Sequence, residues 1–409
     1  MTKQPKISGA LEGLTVIDLT QMLAGPFTTM MMADHGANVI KVEPPGGEIT
    51  RQIGPFADDD NLKDFGGYFQ SINRNKRGIV LDLKTAEGKA VLERLVADAD
   101  VLVENYRSGV MDRLGLSYES LQRINPRLVY AAVRGFGDPR TGESPLVDWP
   151  AYDVVSQAVG GIMGITGPDT ETPIKIGPGV GDIVPAMWAA FGVLAAVRHA
   201  ERTGEGQFID VAMCDGILAI CERVVYQYSY NHQVPLPEGN AHPLLAPYGM
   251  FPASDGWVTI ACPTNVFWEM LCNLMGQPEL AGDERYLENE RRIANKELLY
   301  DVVAKWTGQH SKKELTVILG GKVPFGPVQN IADIAESAHF AARDMLVKLD
   351  QPGSSQEFRV ANTPVRMAGT PGGVRRRAPL LGEHSEEILR EAGYSTDQIS
   401  DLKECSAVG

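Results

Sequence analysis

Cysteine is scarce in this chain of 409 residues: five, at positions 214, 221, 262, 272 and 405. They are odd in number and form no Cys-x-x-Cys pair, so neither a disulfide framework nor a zinc-binding cysteine set is encoded. There is no H-E-x-x-H and no paired-histidine spacing, and no metal site is expected. G-x-S-x-G is absent, which removes the usual serine hydrolase. No strand-to-helix junction carries G-x-G-x-x-G or a P-loop, so a nicotinamide cofactor or a nucleoside triphosphate is poorly supported. No run of 18 uninterrupted apolar residues marks a membrane span, and the opening "MTKQPKISGALEGLTVIDLT" lacks the apolar core of a secretory leader. Net positive charge is also missing. At −14 the chain has no general attraction for nucleic acid or an anionic membrane. An anionic ligand would have to be held by a local cluster of Arg, Lys and backbone N–H groups. The expected setting is the cytoplasm.

What is present is an ordinary globular composition, 44% apolar and 22% charged, on a chain long enough for two domains. Short β-branched segments at 14–20, 37–43, 78–84, 101–106, 128–136 and 206–213 alternate with helix-like ones at 26–36, 85–100 and 184–204. That alternation predicts an α/β fold, a parallel Rossmann-like sheet covered on both faces. Ligands of such sheets sit at the carboxyl ends of the strands, here in the loops "QMLAGP", "EPPGGE", "KTAEG" and "NYRSGV". A Pro- and Gly-rich stretch at 231–256 leads into a second, smaller unit.

Candidate chemistry is thinly spread. Arg74, Lys76 and Arg77 in "NRNKRG", with Arg107 and Arg113 beyond the fourth strand, form either a solvated basic patch or a cradle for a phosphorylated ligand. His242 stands alone in "GNAHPLL", and His35 and His384 read as helix caps. Cys214, in "FIDVAMCDGIL", reads as a small buried apolar residue. The oddest feature is Asp182 in "GPGVGDIVPAMWAAFG", behind three glycines at the mouth of an apolar helix. Its plain reading is an N-cap.

The phrases "GLTVIDLTQMLAGP", "MADHGANVIKVEPPGGE", "NRNKRGIVLDLKT", "ADVLVENYRSGVMDRLGL", "YDVVSQAVGGIMGITG", "GVGDIVPAMWAAFGVLAAV" and "APLLGEHSEEIL" occur in the order found in the class III CoA-transferases. The chain resembles that family, the formyl-CoA and carnitine CoA-transferases, over nearly its whole length. The resemblance implies that Asp182 is the covalent nucleophile, passing CoA from an acyl-CoA donor to a small carboxylic acid with no prosthetic group. A cap position and a nucleophile are compatible, because the cap geometry can aim the carboxylate. The implied CoA-contacting positions are Leu23, Ala24, Leu81, Asp82, Leu83, Lys84, Asn105, Tyr106, Arg107 and Arg113, with Tyr152 and Asp153 facing the thioester. Pro44 stands where formyl-CoA transferase has an Arg, and "PEGNAHP" replaces its four-glycine run. Formate and oxalate are therefore not expected as substrates; a small dicarboxylic acid, with succinyl-CoA or a similar donor, is. The family also implies an interlocked homodimer. Its large domain would run over 1–225 and resume at 345–409, with a linker and small α+β domain at 226–344. The alternative is a 2-methylacyl-CoA racemase. Racemases place a histidine before the aspartate in "GHD", for exchange of the α-proton. Here the phrase is "AYD", with Tyr152 in that place.

Overall fold

The computed structural model describes residues 9–409. The described chain forms two compact units. One comprises residues up to Ile162, Ile176–Tyr226 and His339–Gly409; the other comprises Met163–Lys175 and Gln227–Ala338. The segment 163–175 thus belongs with the smaller unit, not with the large domain in which the sequence division 1–225 placed it. The smaller unit also ends a few residues before the expected 344. The reason is local. Gly239 N–H donates to the Gly167 carbonyl at 3.0 Å, and a Cβ on Gly167 would lie 2.1 Å from the Thr172 carbonyl oxygen. The stretch folds on itself and on the Pro-rich loop.

In the larger unit β1 (Thr15–Asp18), β2 (Asn38–Glu43), β3 (Arg77–Val80), β4 (Val101–Glu104), β5 (Val129–Arg134) and β6 (Phe208–Ala212) form one six-stranded sheet, in the order β3-β2-β1-β4-β5-β6. Every pairing is parallel. β2 to β5 are buried almost end to end, as a sheet covered on both faces requires. The order reverses between β1 and β4, and this switch point leaves a crevice at the strand carboxyl ends. The covering helices include α1 (Ala24–Asp34), α2 (Gly67–Asn73), α3 (Ala86–Ala97), α4 (Val110–Leu114), α5 (Tyr118–Ile124), α6 (Asp153–Val159), α7 (Val180–Thr203) and α8 (Met213–Ile220). His35 and His384 sit at helix ends as expected, and Cys214 is buried.

α7 is long and apolar enough, by length and composition, to cross a membrane. It is instead laid along the sheet through Val184, Ala186, Ala189, Ala190, Val193, Ala196 and Ala200, all buried. Small side chains on that face let the helix axis approach β5, β6 and α1 closely. Its other face shows Met187, Trp188, Phe191 and Leu194 to solvent. The smaller unit is built on an antiparallel sheet, Tyr248–Ala253, Gly256–Ala261 and Phe325–Pro327, around a core that includes Trp268, Tyr286 and Leu299.

The basic run at 73–78 is neither a solvated patch nor an anion cradle. Lys76 is wholly buried and donates to Asp18 Oδ2, to Asn73 Oδ1 and to the Pro26 carbonyl, all within 3.0 Å. Arg74 pairs with Asp34 at 2.7 Å, and Arg77 with Glu387 and Glu391 at 2.6 and 2.8 Å. The acids that consume these cations come from β1, α1 and the helix at Ser385–Glu391, far away in sequence, so spacing alone concealed them. Burial alone would raise the Asp18 carboxyl, but the ammonium groups of Lys76 and Lys41 outweigh it and hold Asp18 at about 2. Its contribution to stability is therefore present above the ordinary value of 3.8 and is lost as pH falls toward 2. Removing one partner from such a buried pair strands a charge. Lys76→Met should cost about 3–5 kcal/mol in urea unfolding near neutral pH; a loss below about 1 kcal/mol, the level of an exposed pair, would show that this ion pair is not a structural constraint.

Candidate active site

The crevice at the switch point is a cavity of about 140 Å³ whose lining includes Gln21, Met22, Asn105–Ser108, Arg134, Gly135, Trp149–Tyr152, Asp182 and Met213. Its floor is the turn after β1. The Asn105 carboxamide grips Gln21 from both sides, accepting its N–H at 2.9 Å and donating to its carbonyl at 2.7 Å. Met22 is held at φ +65°, a left-handed conformation that a side-chain-bearing residue seldom adopts. Its N–H donates to Glu48, itself buried, at 3.0 Å. Strain of this kind at a cleft needs surroundings that fix it. On the β5 side Arg134 forms ion pairs with the carboxylates of Glu104 and Asp138 and donates to the carbonyl of Tyr106.

Asp182 enters from the first turn of α7, but not as its cap. The helix starts three residues earlier than a cap at 182 would require: Gly179 is the N-cap residue and Asp182 the third helical residue. The capping carboxylate belongs to Asp153 on α6, whose Oδ1 accepts the Gly181 N–H at 2.8 Å. This is possible because Gly179 and Gly181 lack side chains. A Cβ on Gly181 would lie 2.3 Å from the Asp153 carbonyl oxygen, and one on Gly179 would lie 2.9 Å from Leu23. The glycines let α6 and the loop before α1 close against the mouth of α7, which frees Asp182 to line the cavity. Burial lifts its carboxyl from 3.8 to about 7, and the nearby Asp153 carboxylate adds to the rise. A group so shifted on a cleft wall is a candidate for chemistry.

Around it the structure gathers most of the positions singled out from sequence. Ala24, Asn105, Tyr106, Arg107, Tyr152 and Asp182 line the crevice, and Leu23 lies against Gly179. Leu81, Asp82, Leu83 and Lys84 line a second, more apolar cavity of about 220 Å³, together with Pro44 and Tyr106. Tyr106 is therefore shared by the two. Arg113, on α4, lines neither; its side chain lies beside Gly109. Asp153 does not project into the cavity but caps α7 behind Asp182.

Sequence reasoning passed over Glu48, Tyr68 and Gln157. Burial carries the Tyr68 hydroxyl up to about 12, with the charges of Asp182, Glu48 and Asp153 contributing, so it stays protonated beside them. Nothing in "GGYFQS" announces this. Gln157 did carry a signal, lying four residues after Asp153 on one face of a helix.

The chain matches the family model described as CoA-transferase family III over residues 11–385. It is 49% identical over 391 residues to the succinyl-CoA:mesaconate CoA-transferase of Haloarcula hispanica, covering 95% of this chain and 98% of that protein. It is 38% identical to the succinate–glutarate CoA-transferase of Agrobacterium fabrum, over 96% of this chain and 98% of that one. Among solved structures it resembles a CAIB/BAIF family protein from Brucella suis, with TM-score 0.84, 36% identity, and coverage of 94% and 100%. With a transferase family spanning nearly its whole length, and relatives that exchange CoA among dicarboxylic acids, this chain belongs to the class III CoA-transferases and moves CoA between an acyl-CoA and a small dicarboxylate.

Proposed function

We propose that Asp182 is the nucleophile of this transferase, that the donor is succinyl-CoA, and that the acceptor is a short dicarboxylate of the mesaconate type. The observation that carries the reading is the placement of Asp182: a largely desolvated carboxylate on the crevice wall, released from capping duty by Asp153. Nucleophilic catalysis splits the exchange into easier steps. The Asp182 carboxylate attacks the donor thioester carbonyl and expels CoA thiolate, leaving a mixed succinyl–aspartyl anhydride. The thiolate attacks the aspartyl carbonyl, which forms the aspartyl-CoA thioester and releases succinate. The acceptor carboxylate attacks that thioester, giving a second anhydride and thiolate again. Attack of the thiolate on the acceptor's acyl carbon then forms the new acyl-CoA and restores Asp182. Each anhydride and thioester must be screened from water, which a narrow cleft favours.

CoA is placed with its adenosine against Leu81–Lys84 and Pro44, its chain passing Tyr106, and its thioester in the crevice between Asn105, Arg107 and Tyr152. Support for this comes from the two cavities having a lining residue in common, Tyr106. With Arg74, Lys76 and Arg77 spent on internal pairs, contacts to the phosphates fall to exposed cations such as Arg107, Arg113 and Lys84. A second copy of the chain, interlocked with the first, is supported by the solvent-facing apolar row Met187, Trp188, Phe191 and Leu194 on α7.

The test is incubation with succinyl-CoA and a panel of acids (mesaconate, glutarate, malate, citramalate, oxalate, formate), new thioesters being followed by mass spectrometry. Oxalate belongs in the panel because an acetyl-CoA:oxalate CoA-transferase from Acetobacter aceti is 40% identical to this chain, despite the missing glycine run. Transfer should reach one or a few dicarboxylates, and Asp182→Asn should abolish it while leaving the protein folded. An active Asp182→Asn would remove the nucleophile reading. Exchange of the α-hydrogen of a 2-methylacyl-CoA without any transfer would instead establish the racemase.

A pH profile provides a separate check. Only ionised Asp182 can attack, and its carboxyl is raised to about 7. Turnover should therefore climb as pH rises through about 7 and fall roughly tenfold per unit below it. Asp153→Asn removes the neighbouring negative charge and should move that limb to lower pH. A limb that stayed in place would show that Asp153 does not govern the ionisation.

A further inference from the structure

Gln157 has no part in the steps above and lines neither cavity, yet it is wholly buried and its carboxamide is spent on the approach to Asp182. Its Nε2 donates to both carboxylate oxygens of Asp153, at 2.9 and 3.0 Å, and reaches the Ile176 carbonyl at 3.4 Å. Its Oε1 accepts the Ile176 N–H at 2.9 Å. Between Ile176 and Asp182 the chain reads Gly-Pro-Gly-Val-Gly. Three glycines make that lead-in the part of the site most prone to wander, since each admits backbone conformations closed to other residues. Gln157 holds its near end at Ile176, and Asp153 holds its far end at Gly181. Gln157 also fixes the Asp153 carboxylate that makes the second contact. One buried amide thus sets both anchors.

We propose that Gln157 is a positioning residue for CoA transfer, holding the glycine-rich lead-in through Ile176 and Asp153 so that the Asp182 carboxylate meets the thioester carbonyl in line. The proposal rests on Asp182 being the nucleophile. A general structural role would spread the amide's bonds over the core; here every one goes to the two anchors. Small misplacements of a reacting group cost rate far more than they cost binding.

Gln157→Met keeps the length and removes the donors and acceptor without adding charge. Gln157→Glu keeps an acceptor for Ile176 but sets a second carboxyl against Asp153. The titratable and charged groups around Asp182 are Asp153 on α6, Tyr68 on α2, and Tyr106, Arg107, Arg134 and Tyr152 along the crevice, with Glu48 in the loop after β2 acting on Tyr68. A further negative charge behind Asp153 makes Asp182 harder to ionise.

Steady-state kinetics across pH would be measured on the full chain, wild type, Gln157→Met, Gln157→Glu and Asp182→Asn, with succinyl-CoA and mesaconate. Expected for Gln157→Met is a kcat lowered by about 10- to 100-fold, with the KM for succinyl-CoA within about twofold of wild type, since no cavity contact is lost. For Gln157→Glu the acid limb should move to higher pH. A Gln157→Met enzyme that melts earlier but keeps its kcat would overturn the proposal. Should that variant not fold, an unmoved acid limb in Gln157→Glu would overturn it equally. Full activity in Asp182→Asn would fell the nucleophile reading and the proposal together, whereas a dead Asp182→Asn beside an unaffected Gln157→Met would fell the proposal alone.

Discussion

The site depends on one close approach, the mouth of α7 against Asp153. With 2.3 Å between the Asp153 carbonyl oxygen and the place where a Cβ of residue 181 would stand, only glycine fits. Because glycine is there, a carboxylate from another helix can cap α7, and the helix's own first-turn carboxylate is left without that task. The arrangement puts two like charges near each other in a partly dry place, which is costly. The cost appears as the raised Asp182 carboxyl, so the feature that destabilises the ionised ground state also makes the group a better nucleophile when it ionises.

The sheet supplies the other half of the arrangement. Its order reverses between β1 and β4, so the loops after these two strands diverge and leave a crevice. Asn105 ties them back together by clasping Gln21, and Glu48 holds the strained Met22. Beneath the crevice lies a set of buried charge pairs, Asp18 with Lys76, Glu43 with Arg51 and Glu104 with Arg134, each joining two different segments of the chain. Such pairs add little net stability beyond what apolar packing would give, but they penalise any misplacement of the strand ends that carry them.

The sheet and its ends were legible because short β-branched runs alternating with helices admit few other folds. All six strands of the larger unit overlap the segments read from sequence, although β3 stops at Val80, four residues short of the segment read at 78–84. Asp182 was legible through its glycines and through the resemblance of the surrounding phrases to a known family. Its capping role was misread because the N-cap preference of Asp is a local rule, and here the helix begins at Val180 and a carboxylate from a second helix accepts one of its first-turn N–H groups. The basic run at 73–78 was open to two readings, both wrong, for the same reason: its partners Asp18, Asp34, Glu387 and Glu391 become neighbours only after folding. Tyr68 and Glu48 left no trace in the sequence, because what marks them is proximity to Asp182 and Met22 rather than any spacing.

Tyr106 lines the crevice and the apolar cavity alike. Two small fragments, one seated in each cavity, would both touch Tyr106. Their binding free energies are then coupled through that side chain and do not add as those of independent sites would. Tyr106 is a residue common to both cavities, and for a ligand long enough to reach both, the fit at one end is coupled to the fit at the other.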